Sequence, residues 1–168
     1  MTTRLPDPVI HPSALIAPGA HVYGNVTIGA NVFVLFGSVV RAEHDRIVIG
    51  AGTNLQDNSV VHCDEGTPCN IGERVTVGHG VVVHGAEIGD RALIGIGAHA
   101  LNRSSVGEGA WLAAGAVLTE GSSIPPWTLA VGIPAKPIRD LTDEEAARAD
   151  EGVDRYIALA AVYREILG

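Results

Sequence analysis

The sequence predicts a mainly β protein. About seven triangular coils of short parallel strands stack on one another, and a C-terminal α-helix follows them. Three observations carry this reading. Aliphatic residues recur every six positions between Ile10 and Ala130. Small residues recur at fixed offsets from those aliphatics. The 168-residue chain is 46% apolar with only 4% aromatic residues and 21 glycines, so its core is built from Val, Ile, Leu and Ala in many similar layers.

The first run is Ile10, Ile16, Val22, Ile28, Val34 and Val40. A step of nine leads to Ile49, followed by Leu55 and Val61; a step of ten leads to Ile71, followed by Val77 and Val83. One step of five leads to Ile88, and the period then runs unbroken through Ile94, Ala100, Val106, Leu112, Leu118, Ile124 and Ala130. The residue after the aliphatic is often tiny, as at Gly29, Gly50, Gly72 and Gly89. A helix cannot hold residues six apart on one face, because six residues rotate it by about 600°. A short strand followed by a turn can, and three such units close a triangular coil of about 18 residues that stacks like on like. The competing β-sandwich with evenly spaced turns does not account for a period held from residue 10 to 130.

The C-terminal helix is read from Thr142, a good N-cap, and from Asp143, Glu144 and Glu145, which face the positive helix end. Val153, Tyr156, Ile157, Ala160, Tyr163 and Leu167 form an apolar stripe at helical spacing, expected to pack on the coil or on a neighbouring subunit. Gly152 is expected to interrupt this helix. Residues 1–139 are thus assigned to the coil and residues 140–168 to the helical segment.

The net charge of −8 and the pI near 5.2 argue against nucleic acid and anionic membrane as partners. No apolar run reaches the ~18 residues of a membrane span. Residues 1–8 lack the apolar centre of a signal peptide. The expected compartment is the cytoplasm, with Cys63 and Cys69 as free thiols.

All three breaks in the period fall between Val40 and Ile88, where the suggestive polar residues also lie. Arg41, His62 and His84 each follow an inward aliphatic, where Gly or Ala is usual. Counting faces cyclically puts Val40, Val61 and Val83 on the third face of successive coils, so these three residues form one vertical ladder. His62 and His84 are one coil of about 18 residues plus a four-residue insertion apart. Coils are about 4.8 Å apart, so the two imidazoles can share an ion. His79 belongs to the second face, directly above Asp57. It reaches that ion only if the second face of one subunit meets the third face of another, a contact that a cyclic trimer closes. Three histidines around one ion with a position left for water is the catalytic zinc pattern.

The segments Val40-Arg41-Ala42-Glu43, Asn54 to His62 and Val77 to Gly85 resemble the γ-class carbonic anhydrases, within the hexapeptide-repeat proteins. Val131 to Arg139 resembles the Gly-x-Pro-Ala-Lys exit of that superfamily. The resemblance implies a left-handed β-helix; the general crossover rule alone gives the opposite hand. It implies a homotrimer holding zinc, or iron or cobalt in some members, with His62 and His84 from one subunit and His79 from its neighbour. It implies reversible hydration of CO2 to bicarbonate by a metal-bound hydroxide at the trimer interface. It puts Gln56 where it hydrogen-bonds the bound water or bicarbonate. Arg41 is expected to pair with Asp57 or Glu43 across the subunit contact. Two departures stand out. Arg41-Ala42-Glu43 replaces the frequent Arg-Gly-Asp, and the loop from Cys63 to Asn70 is short, leaving Glu65 or His44 as proton-shuttle candidates. The other classes kept open are a hexapeptide acyltransferase using CoA, a metal-dependent CoA-thioester hydrolase and a non-catalytic trimeric scaffold.

Overall fold

The computed structural model describes residues 5–167; residues 1–4 and Gly168, the outer ends of the two expected segments, lie outside the described residues. The architecture is a left-handed parallel β-helix of about seven coils with a C-terminal helix. One face stacks Leu15–Ile16, Phe33–Val34, Asn54–Leu55, Thr76–Val77, Leu93–Ile94, Trp111–Leu112 and Thr128–Val131. The long strands His21–Ile28 and Val39–Ile49 each turn a corner and join the other two faces into one sheet. The chain leaves the coil by an antiparallel strand, Lys136–Asp140, laid against Thr128–Val131.

Register explains the six-residue period. Val40, Val61, Val83, Ala100 and Leu118 are paired in succession on the third face, and each is almost wholly buried. The valines and Leu118 each contribute roughly 1.5–3 kcal/mol by leaving water, and Ala100 less. Ile10, the first of the six-residue series, is 40% exposed, because among the described residues its strand is paired on one side only, with Thr27–Ile28. The tiny positions are where one coil's backbone abuts the next. A Cβ on Gly50 would lie 2.5 Å from the carbonyl of Gly72 in the coil above.

The helix runs unbroken from Asp143 to Leu167. Gly152 therefore does not divide it, contrary to expectation. The reason is tertiary: Val153 and Ala160 are buried, and the helix packs on this chain's own second face around Phe33, Leu35, Tyr156 and Tyr163. Ion pairs Arg91–Asp150 and Arg74–Asp154 (2.9 Å) clamp it on either side of Gly152. Glycine weakens a helix interior by only about 1 kcal/mol, which these contacts outweigh. Among the described residues, no helix is long and apolar enough to cross a membrane.

Candidate metal centre

The ladder exists in the structure. Arg41 is paired with His62, and His62 with His84, in adjacent coils. Each follows a buried valine, so the β alternation that sends the valine inward sends the next side chain out at the corner. The two imidazole centroids are 4.9 Å apart, with His62 Nδ1 and His84 Nε2 at 2.9 Å.

The partners behind each ring decide where its proton sits. His62 Nε2 faces Glu43 Oε2 at 3.2 Å, so Nε2–H donates to that carboxylate. His84 Nδ1 faces Asn102 Oδ1 at 2.8 Å, and the amide is oriented by its Nδ2–H donating to Asp64 Oδ2 at 3.0 Å. Nδ1–H of His84 therefore donates outward as well. Both inner nitrogens, His62 Nδ1 and His84 Nε2, are then bare lone pairs pointed at each other. In neutral rings that contact is repulsive unless a cation lies between them. Burial, then the nearby charge of Arg41, lowers the pKa of His62 below its ordinary 6.5, which favours the neutral ring. A tetrahedral zinc with nitrogens at 2.0–2.1 Å puts them about 3.3 Å apart. The observed spacing needs only a few tenths of an ångström of opening, so the residues fit such an ion.

Arg41 donates from Nη1 to Glu43 of the same chain. The two are alternate residues of one strand and lie on one side of it. Within one chain, Glu43 thus spans Arg41 and His62. Burial opposes ionisation of Glu43, but the hydrogen bond and charge of Arg41 prevail and lower its pKa.

His79 stands at a different corner, after Thr76–Val77, outside the cluster of His62 and His84. Its Nδ1 lies 2.9 Å from Asp57 Oδ2, within the chain, so Asp57 fixes this tautomer and leaves Nε2 bare. Gln56, next to Asp57, is buried and donates from Nε2 to Asn54 Oδ1 at 3.2 Å. A single chain therefore brings together Arg41, Glu43, His62 and His84 at one corner. It brings Gln56, Asp57 and His79 together at another.

Glu65 and His44 are both exposed and outside the His62–His84 cluster. Two residues that the sequence reading passed over are inside or against it. Asp64 joins His62 and His84 as a metal-capable group, and Asn102 backs His84. Signals for both existed. Asp64 is two residues past His62, at the start of a turn, and Asn102 is two past Ala100, in the coil above Val83. Cys63 and Cys69 are buried free thiols, and burial pushes the Cys69 thiol up to about 12.

Comparison with known proteins follows the same lines. The family model "Bacterial transferase hexapeptide (six repeats)" matches residues 7–42. The mitochondrial gamma carbonic anhydrase 2 of Arabidopsis thaliana is 37% identical over 163 residues, 94% of this chain. This chain spans only 59% of that plant protein's length. The carbonic anhydrase of Geobacillus kaustophilus is 38% identical over 159 residues, covering 95% of this chain and 87% of that protein. The crystal structure of a hexapeptide transferase family protein from Anaplasma phagocytophilum superposes with a TM-score of 0.90 at 38% identity, covering 93% of this chain and 92% of that one.

Proposed function

The chain belongs to the γ-class carbonic anhydrase-like family of hexapeptide-repeat proteins, and on that premise we propose that it catalyses reversible hydration of CO2 to bicarbonate. The site is a metal centre shared between the subunits of a homotrimer. His62 and His84 of one chain and His79 of its neighbour hold the ion, which is zinc, with iron and cobalt as the alternatives. One observation carries the reading: each of the three histidines has an acceptor behind it that fixes its tautomer, namely Glu43 for His62, Asn102 for His84 and Asp57 for His79. Outer partners of this kind orient metal-ligating imidazoles and raise their basicity. Solvated surface histidines do not call for them.

When bound, such an ion lowers the pKa of a coordinated water to about 7 and so supplies a nucleophile at neutral pH. The chain's own residues do the rest. Glu43 holds the His62 proton on Nε2, and Arg41 balances the charge of Glu43. Asp57 holds the His79 proton on Nδ1. Gln56 is fixed through Asn54, and its amide hydrogen-bonds the bicarbonate oxygen. Hydration of CO2 also yields one proton, which must reach solvent. The unpaired thiols Cys63 and Cys69 support a reducing compartment such as the cytoplasm.

A second reading, acyl transfer from CoA, is favoured by the resemblance to the hexapeptide transferase family protein. One preparation separates the two. Purified protein is expected to carry about one transition-metal ion per chain, with CO2 hydration lost on chelation and restored by zinc. His62→Ala, His79→Ala and His84→Ala each lower metal affinity. Metal content unchanged in all three variants, or acyl transfer without CO2 hydration, contradicts the proposal.

A further inference from the structure

The three-histidine arrangement leaves one carboxylate unused. Asp64 Oδ1 stands 4.0 Å from His84 Nε2, the bare nitrogen of that ring. The ligand atoms of His62, Asp64 and His84 all lie within 4.8 Å of one another. The other oxygen, Oδ2, accepts from Asn102 Nδ2–H at 3.0 Å, while Asn102 Oδ1 accepts from His84 Nδ1–H at 2.8 Å. One amide thus grips two metal-capable groups by their outer atoms and leaves their inner atoms converging.

The grip is built into the backbone. The turn carrying Asp64 is closed by the buried Thr67, whose Oγ1 accepts from Asp64 N–H at 3.2 Å and donates to Asp64 O at 3.0 Å. The residue after His84 is Gly85, at φ +57, where a Cβ would fall 2.2 Å from Asn102 Oδ1. Any side chain there would displace the amide from His84.

We propose that His62, His84 and Asp64 form a metal site complete within one chain, which loads a divalent transition ion before the neighbouring subunit contributes His79. This rests on the metal reading above and adds a ligand and an order of events to it. Two imidazoles and one carboxylate are a donor set that zinc accepts. Asp64, with its side chain 53% exposed, is the ligand best able to leave when the partner's imidazole arrives. Its departure returns the site to three histidines and an open position.

The test titrates the demetallated full-length protein with Co2+, followed by its visible absorption, with Zn2+ in competition. The His79→Ala variant still binds about one ion per chain. Adding Asp64→Asn, an isosteric change at an exposed position, weakens that binding by about 10–100-fold, and adding Asn102→Ala does the same. Sedimentation and circular dichroism check that each variant is folded. The proposal is overturned if Asp64→Asn has no effect in the His79→Ala background, or if His79→Ala binds no cobalt while wild type does. Wild-type protein that binds no metal overturns this proposal and the three-histidine reading together, so the two failures are told apart.

Discussion

At the scale of single residues, protonation governs the site. His62 carries a lowered pKa, first from burial and then from the charge of Arg41. Between its depressed value and 6.5 the unfolded chain binds more protons at this group than the folded chain does, so stability rises with pH across that window. The contribution is complete above pH 6.5 and is lost as pH falls through the folded value. Metal-free protein should therefore melt at a lower temperature at pH 5 than at pH 7, and His62→Asn should flatten that dependence. An unchanged slope in the variant would show that His62 is not the group responsible. The sequence made the three histidines legible because the period can be counted: it put His62 above Arg41, His84 above His62 and His79 at another corner. It did not show Asp64 or Asn102. Their roles depend on side-chain rotamers and on an insertion loop whose path no period constrains. Nor did it show that Arg41 and Glu43 pair within one strand, since charge complementarity alone also allowed Asp57 across an interface.

At the scale of elements, the helix separates local from tertiary effects. Its start was readable from composition, and the structure adds a reciprocal cap. Glu145 N–H donates to Thr142 Oγ1 at 3.2 Å and Thr142 N–H donates to Glu145 Oε2 at 2.9 Å, a capping box. Hydrogen bonds from Arg139, then the Thr142 backbone, hold the Glu145 carboxyl at about 2. Thr142→Ala is expected to destabilise the protein by about 1 kcal/mol. The continuity at Gly152 was not readable, because glycine signals a break locally and the packing of Val153 and Ala160 overrides it. A Cβ at Gly152 would meet nothing closer than Arg155 Nη2 at 3.8 Å, an ordinary contact. Gly152→Ala should accordingly raise stability by up to about 1 kcal/mol, or about 2–4 °C in Tm for a chain of this size. Thermal melts of the two variants check both signs. A destabilised Gly152→Ala protein would mean that the backbone there is held in a shape only glycine tolerates.

At the scale of the whole molecule, the coil count was legible because each inward position repeats one physical demand: an aliphatic under an aliphatic, and a tiny residue where backbones abut. The hand of the coil was not legible from the period, and came from family resemblance. The face count also bears on the proposed assembly. With His62 and His84 at one corner and His79 at another, the three-histidine site needs a second subunit, and sedimentation should give about three times 17.4 kDa. The most direct measurement mixes two chains, His62→Ala and His79→Ala, by unfolding and refolding them together with zinc and then assays CO2 hydration. Trimers of either variant alone lack a ligand at every site. In a mixed trimer one interface joins intact His62 and His84 from the His79→Ala chain to intact His79 from the His62→Ala chain. Equal mixing should restore activity to about a quarter of wild type, since one site per mixed trimer is complete in a closed three-fold ring. Verified mixed trimers that regain no activity would contradict a catalytic centre shared between subunits.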